Sequence, residues 1–319
     1  MRSLASVLSV ASSTGPASPR RGAGGLAAGV RRGARRSVAP LLLLLPALVV
    51  LVGLRLVPIV DAIRLSFTNW DGFGAPRWVG LDNFKALVHD QQFTSSLVHS
   101  VEILLVMPIW ILVPYAIAWG LHAQIPGWRF FRLAFFIPVV ISPVVIGIYY
   151  GMALGPEGPF NAVLHAVGLG GVARAWLNEP ALALPIVIAI IVWSTFGIGV
   201  LIFLSGLASL DQDQVEAARI DGANGWQIQR HVVFWQLLPV IEVWAIVMMI
   251  ATFTAFFPLI FALTNGGPGT ATYTVDFDLY QEAFTNGHLG YASSIGVALM
   301  LIMAVIGVLQ LTLLRGRRG

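Results

Sequence analysis

Residues 215–235 read VEAARIDGANGWQIQRHVVFW, a polar and charged stretch that lies between two long hydrophobic runs. Asp213 is placed to cap a short helix, with Glu216 reaching back to complete a capping box. Gly222 stands where such a helix ends, because glycine adopts the left-handed conformation without a Cβ penalty. Asn224 can cap a second helix. The stretch therefore predicts a helix, a sharp turn and a second helix, which together protrude where a partner can hold them.

The composition is that of an integral membrane protein. Hydrophobic residues make up 57% of the 319 residues and charged residues only 11%, against roughly 25% charged in ordinary soluble domains. A soluble core of this size cannot bury that excess. The chain has no cysteine, which excludes disulfides and thiolate chemistry.

Six apolar runs are long enough to cross about 30 Å of hydrocarbon as helices. These predicted spans are 39–60, 97–121, 131–154, 182–207, 237–263 and 290–314. Prolines inside membrane helices are tolerated where neighbours satisfy the freed carbonyls. We expect kinks at those within the runs, namely Pro108, Pro114, Pro138, Pro143, Pro185 and Pro258.

The span pattern divides the chain into four parts. Residues 1–38 form a basic, low-complexity tail that we expect to be disordered, and 39–96 form the first membrane helix and an external loop. Residues 97–314 form a five-helix core that contains the polar loop 211–236, and 315–319 form a basic C-terminus. The arginine pairs before residue 39 also suggest an export signal, but the run that follows is long enough to span and lacks a small-residue cleavage pattern.

Basic residues predict the orientation, because cytoplasmic loops are enriched in Lys and Arg. The side that carries both termini and the polar loop holds 14 of the 19 basic residues. The opposite side holds only Arg64, Arg77, Lys85 and Arg174. Both termini and the polar loop are therefore predicted to be cytoplasmic.

The polar loop resembles the EAA loop of permease subunits of binding-protein-dependent ATP-binding-cassette importers. That pattern is Glu-Ala-Ala, three residues, Gly, nine residues, then Ile-x-Leu-Pro. The matching residues here are Glu216, Ala217, Ala218, Asp221, Gly222 and Ala223. The closing part departs from the pattern, since residues 232–235 read VVFW.

Three further segments resemble the sugar-type permeases, in the expected order and on the expected sides. They are LSFT with VGLDNF in the first external loop, FR with FFIP and SP in the third span, and LTNGGPG at 263–269. The long first span and loop look like the larger maltose permease or the first glycerol-phosphate permease.

The resemblance implies an all-α type I permease of the bacterial inner membrane, with six membrane helices and a cytoplasmic coupling helix. It implies a second, different permease subunit, two ATPase subunits and an extracytoplasmic solute-binding protein as partners, besides membrane lipid. Glu216 would pair with a basic residue of the ATPase groove, although a plain capping carboxylate is the alternative. Gly222 would let the loop enter that groove, and Ala217 and Ala218 would allow close approach. The implied solute is a sugar or a related polyol.

No enzyme active site is evident. The chain has no Gly-x-x-x-x-Gly-Lys-Ser/Thr and its one lysine lies in an external loop, so ATP and Mg²⁺ would be bound by a partner. The six histidines show no metal-ligand spacing, and we expect neither cofactor nor nucleic acid. Ion-coupled secondary transport is the alternative, but it favours ionisable residues near the midplane and inverted repeats, which are not apparent. A membrane scaffold without transport activity would leave the Glu216 loop and the LTNGGPG segment at 263–269 unexplained.

Sugars stack on aromatic rings and hydrogen-bond through their hydroxyls, so the solute pathway is expected midway along spans four to six. The candidates are Trp193, Phe253, Phe256, Phe257 and Asn265. Packing in the core or against lipid is the alternative for each aromatic residue. Trp110, Trp119 and Trp128 fit an interfacial belt better than a site. The ionisable residues inside spans, Arg55 and Glu242, lie near span ends, where snorkelling or a structural pair accounts for them.

Overall fold

The computed structural model describes residues 39–123 and 126–315 and is almost entirely helical. The predicted tail at 1–38 and the last four residues lie outside the described residues. The chain divides into two units, one up to Leu56 and one from Val57 onward. The first holds α1 (Ala39–Leu51) and a π-helical turn, Val52–Leu56. Its described side chains from Leu43 onward are exposed, as expected of a helix that contacts lipid or a partner.

The second unit begins with α2 (Val57–Leu65) and a small β-hairpin that the sequence did not predict. Strands β1 (Thr68–Asn69) and β2 (Arg77–Trp78) pair antiparallel, with Thr68 opposite Trp78. Three helices follow: α3 (Asp82–His89), α4 (Gln91–Leu105) and α5 (Met107–His122).

The middle of the chain contains α6 (Trp128–Val140), α7 (Pro143–Ala153), the short α8 (Pro159–Ala166), a 3-10 turn (Gly170–Val172) and α9 (Pro180–Ala208). The polar hairpin comprises α10 (Gln212–Ile220), α11 (Gly225–Ile228), a π-helical turn (Gln229–Val233) and α12 (Phe234–Gln236). The chain ends with α13 (Leu238–Thr254), α14 (Phe257–Leu263), α15 (Val275–Tyr280), a third π-helical turn (Gln281–Thr285) and α16 (Leu289–Arg315).

Within the described residues, four helical segments are long and apolar enough to cross a membrane, or six if two bent pairs count as one span each. The four are Leu43–Leu65, Gln91–His122, Pro180–Ala208 and Leu289–Gln310. The bent pairs are α6 with α7, at 97°, and Gly225–Gln236 with α13, at 64°.

The kinks predicted at Pro143 and Pro258 are present as breaks between helices. Ser142 is extended (ψ 136°) between α6 and α7, because the ring of Pro143 disfavours a helical conformation for the residue before it. The fifth run is broken at Ala255 and Phe256, just before Pro258. The second run is interrupted at Val106, before Pro108. Three of the six prolines thus lie at the start of a helix, whereas Pro114, Pro138 and Pro185 lie inside α5, α6 and α9.

The core of the second unit forms where α5, α9 and α13 cross. Pro114 has no N–H, so the carbonyl of Trp110 loses its normal partner within α5. The indole Nε1–H of Trp244 donates to that carbonyl at 2.7 Å. Trp110 donates in turn to the Thr195 hydroxyl on α9, at 3.1 Å. Both tryptophans are fully buried, so the assignment of Trp110 to an interfacial belt is wrong.

Glycine allows this close crossing. A Cβ added at Gly199 would lie 2.9 Å from ring carbons of Trp244 and 3.0 Å from Pro114. Such distances force neighbouring groups to shift in a closely packed interior. Gly199 therefore lets α9 approach both helices at the point where the freed carbonyl needs its partner.

We predict that Trp244→Phe destabilises the protein by about 1–3 kcal/mol, because it leaves the buried Trp110 carbonyl without a donor. Pro114→Ala restores an N–H to that carbonyl and should recover part of the loss. Thermal unfolding in detergent checks this, with the exposed Trp78→Phe as control. If Pro114→Ala changes stability equally in the wild-type and Trp244→Phe backgrounds, the two groups do not share this hydrogen bond.

Candidate functional site

The first helix of the polar hairpin is capped by Asp211. Its carboxylate accepts from the N–H of Asp213 at 3.1 Å and from the side chain of Gln214 at 2.9 Å. The backbone N–H of Asp211 is itself bound by the side chain of Gln236, at 2.9 Å, which holds this residue outside the helix. The predicted cap at Asp213 with Glu216 as its partner is therefore wrong, and capping does not account for Glu216.

The turn between the two hairpin helices is the one predicted. Gly222 has a φ of +80°, and two hydrogen bonds close the end of α10 around it. The N–H of Ala223 donates to the carbonyl of Ala218 at 3.0 Å, and that of Gly222 donates to Arg219 at 3.1 Å. This pair of bonds is the Schellman arrangement, which satisfies carbonyls that the helix end leaves free.

The predicted cap of the second helix is confirmed as a reciprocal pair. Asn224 accepts from the N–H of Gln227 at 2.9 Å, and the Gln227 side chain accepts from the N–H of Asn224 at 2.8 Å. A π-helical turn, Gln229–Val233, follows. Trp235 replaces the expected proline, yet the chain still bends by 64° at Leu237, where Pro239 starts the next helix.

The hairpin has a buried face and an exposed tip. Val215, Ile228 and Val233 are at most 6% exposed and pack into the main core. Ile220 and Trp226 are 86% and 73% exposed. Large apolar side chains so exposed on a short polar hairpin indicate a binding surface.

The charged residues of the tip are available to a partner. Glu216, Ala217 and Asp221 are exposed, whereas Ala218 and Ala223 are half-buried beside the turn. Within residues 39–123 and 126–315, the Glu216 side chain makes no hydrogen bond and no ion pair. The six predicted coupling residues thus lie around the turn of one hairpin, and the carboxylate of Glu216 is unpaired.

The five candidate pathway residues do not gather at one place. Phe253 and Phe256 are buried in different clusters, and Phe256 stacks on Trp110 with centroids 6.1 Å apart. Trp193 is half-buried against Tyr150. Phe257 is half-buried with its ring centroid 4.4 Å from that of Tyr280, and Asn265 is exposed at the end of α14. Contact with solute stays a prediction for all five.

Two carboxylates that the sequence reasoning missed, the half-buried Asp276 and the buried Asp278, lie beyond α14. Asp276 accepts the N–H of Phe257 at 2.8 Å, which satisfies the start of α14 after the break. Burial raises the pKa of Asp276 despite hydrogen bonds from Thr274, Phe257 and Phe277. Both carboxylates follow the LTNGGPG segment in a short polar stretch of sequence, and nothing in that stretch indicated that they would be buried.

Asp278 is a second carboxylate of α15 whose pKa is raised. Burial, opposed by the hydrogen bond from Gln92 and reinforced by the charges of Asp90 and Glu282, raises its pKa from 3.8 to about 6. One of its carboxylate oxygens is buried without a partner among the described residues. The other accepts from the Gln92 side chain at 2.7 Å, which ties α4 to α15.

Comparison with known proteins places these features in a family. Residues 37–319 match the family described as binding-protein-dependent transport system inner membrane component. This chain belongs to that permease family. It is thus a membrane-spanning permease subunit of a binding-protein-dependent importer, and its hairpin carries the EAA residues of such permeases.

Relatives of this permease cover nearly its whole length. A probable ABC transporter permease protein of Pyrococcus horikoshii is 32% identical over 270 residues, which are 83% of this chain and 92% of the relative. The multiple sugar-binding transport system permease protein MsmF of Streptococcus mutans is 33% identical over 258 residues, 80% of this chain and 88% of the relative.

The permease fold is also found in a solved structure. A chain of a bacterial ABC transporter that imports the acidic polysaccharide alginate matches with a TM-score of 0.77 at 20% identity, over 88% of this chain and 96% of that one. At this identity the match concerns the fold alone.

We predict that this permease loses stability as pH rises from about 4 to about 6. The folded state keeps a proton on Asp278 that the unfolded state has released across this window, so ionisation at higher pH works against folding. Asp278→Asn should flatten that pH dependence, measured as thermal stability in detergent. Asp71→Asn, at an exposed carboxylate between β1 and β2, serves as control. An unchanged pH slope in Asp278→Asn would contradict the assignment.

Proposed function

We propose that this permease subunit forms the translocation pathway for a sugar or a related polyol and is driven by separate ATPases that hold its hairpin. The observation that carries the proposal is the hairpin between α9 and α13, with its unpaired Glu216 and an apolar tip 86% exposed at Ile220. The sugar part rests on relatives such as MsmF.

The ATPases would be partner chains. This sequence has no phosphate-binding loop and its single lysine is Lys85, so ATP and Mg²⁺ would bind elsewhere. No cofactor is proposed for this chain. Because the family is defined by transport that depends on a binding protein, an extracytoplasmic protein would deliver the solute to the outer loops.

The proposed topology has six spans with both termini in the cytoplasm of a bacterial cell. Counting each bent pair as one span supports six, and the excess of basic residues on the hairpin side supports the orientation. Exposed apolar side chains along α5 and α16, such as Leu112 and Val305, support contact with lipid and with a second permease subunit.

Coupling would proceed through the base of the hairpin. The Gln236 side chain joins α12 to the cap of α10 at Asp211 and to Gln214. Val233 and Leu237 are each 1% exposed and anchor the base in the core. When ATP binding draws the ATPases together, the hairpin would move with them and shift α9 and α13 as one packed unit, since packed interiors transmit displacement.

Ion-coupled secondary transport is not favoured as an alternative. It leaves the exposed tip and the EAA residues without a role. The carboxylates of Asp276 and Asp278 both lie in α15, outside the candidate spans. A proton or ion pathway would need ionisable groups near the midplane.

We predict that Glu216→Lys and Gly222→Asp abolish retention of the ATPase when the tagged permease is purified in mild detergent. The first reverses the charge of an unpaired carboxylate, and the second places a side chain on a left-handed residue with φ +80°. The strain and lost docking together should cost at least 2 kcal/mol, or about thirtyfold in affinity.

Two matched controls lie in the proposed outer loops. Glu157→Lys makes the same charge change at an exposed residue. Gly269→Asp alters another left-handed glycine (φ +59°) with no atom within 4 Å of the added Cβ. Both should retain the ATPase at the wild-type level, and loss in the controls as well would point to misfolding rather than docking.

A further inference from the structure

A cavity of about 830 Å³ lies between α5 and the second half of the hairpin. Leu112, Tyr115 and Trp119 line it from α5, and Trp226, Phe234 and Trp235 line it from the hairpin. Its walls are therefore mostly aromatic. A concave site of this size with few polar groups is typical of small-molecule binding.

The polar groups of the cavity favour an anion. Gln229, Arg230 and His231 line it, and no carboxylate does. Arg230 is exposed and makes no hydrogen bond or ion pair with any residue that the structure describes. A guanidinium without a partner beside an apolar cavity suits a phosphate, which it can bind through two N–H groups.

Gln229 gives an independent indication of a ligand. The side chain is 9% exposed, and both atoms of its amide lack a hydrogen-bond partner among the described residues. Buried amides are normally satisfied, since leaving one unpaired costs free energy. Gln229 also begins the π-helical turn Gln229–Val233, a distortion that is frequent at functional sites.

The position of the cavity identifies the kind of anion. α5 belongs to the candidate span Gln91–His122, and Trp119 lies one turn from its end on the hairpin side. Leu112, two turns deeper, is 59% exposed, so the cavity opens on the apolar flank of the helix. Tryptophan and tyrosine at this depth are typical of the boundary between hydrocarbon and headgroups.

We propose that this cavity binds one anionic phospholipid of the leaflet on the hairpin side. The acyl chain lies along Leu112 and Tyr115, and Arg230 binds the phosphate. The Gln229 amide, after a small side-chain rotation, donates to an ester or headgroup oxygen. The proposal rests on the membrane orientation of the proposed function, but not on any contact with an ATPase.

Such a lipid would support the hairpin from its membrane side. Trp226 and Arg230 belong to the hairpin, whereas Tyr115 and Trp119 belong to a membrane span. A ligand that contacts both sets stabilises their observed arrangement, by linkage. Anionic lipid should therefore hold the hairpin in the orientation in which its tip projects.

The test uses the assembled importer in nanodiscs that contain phosphatidylcholine with or without phosphatidylglycerol. Lipid that stays bound is counted by native mass spectrometry. Wild type should retain phosphatidylglycerol in preference to phosphatidylcholine. Arg230→Gln should lower that retention about fivefold, as expected for one cation near an anionic headgroup. Ala116→Phe, which fills the cavity without changing charge, should lower it as well.

Arg219→Gln is the matched control, because Arg219 is an exposed arginine of α10 outside this cavity. It should retain lipid as the wild type does. Equal retention by all three variants would overturn the proposal. If free glycerol phosphate displaces the bound phosphatidylglycerol, the cavity is a site for a soluble anion and the lipid proposal is wrong. If lipid is retained only when the second permease subunit is absent, the cavity is part of the interface with that subunit and the lipid proposal is wrong.

ATPase retention, measured on the same samples, separates this proposal from the function. If Arg230→Gln keeps the ATPase and loses the lipid, the lipid site stands by itself. If every variant keeps both, the lipid proposal fails while the coupling role remains. If the wild-type permease does not retain the ATPase, that result counts against the proposed function.

Discussion

The hydrogen bond from the Trp244 indole to the Trp110 carbonyl is the contact on which the core depends. In a bilayer no water can satisfy a carbonyl freed by proline, so a neighbouring helix must do so. Pro114 frees the carbonyl, Trp244 supplies the donor at 2.7 Å, and Gly199 lets α9 come close enough to enclose both. The crossing of α5, α9 and α13 is thereby fixed in register. Because the hairpin connects α9 to α13, its base is held by two of the three helices that this contact joins.

Elsewhere the membrane part consists of shorter helices that meet at prolines. The break between α6 and α7 bends the chain by 97°. After the break before α14, the carboxylate of Asp276 accepts the free N–H of Phe257. A rigid crossing beside bent segments suits a transporter, since coupled motion needs packed units that move against one another at defined joints. The hairpin, with buried Val215 and Val233 below an exposed tip, is the part that the proposed function places against the ATPases.

Much of the hairpin could be predicted because its signals are local. The left-handed Gly222 and the capping pair of Asn224 follow from backbone preferences within a few residues. The N-cap was misplaced because Asp211 is held by Gln236, 25 residues away. Likewise, the burial of Trp110 and Asp278 depends on partners from distant helices, and hydropathy cannot distinguish an interfacial tryptophan from one that donates to another helix. The prolines indicated where the long runs are interrupted, but the size of each bend and the groups that satisfy it depend on contacts with other helices.

The central claim is that the hairpin tip contacts an ATPase, and site-specific cross-linking tests it most directly. The chain contains no cysteine, so Ile220→Cys introduces a single thiol at a residue that is 86% exposed. In membrane vesicles with the assembled importer, a short bifunctional maleimide should join this position to the ATPase. The same change at Phe73, 85% exposed between β1 and β2, should give no such product, because the proposed topology places this loop on the opposite side of the membrane. Absence of the adduct at 220, or an equal yield at 73, would contradict the account.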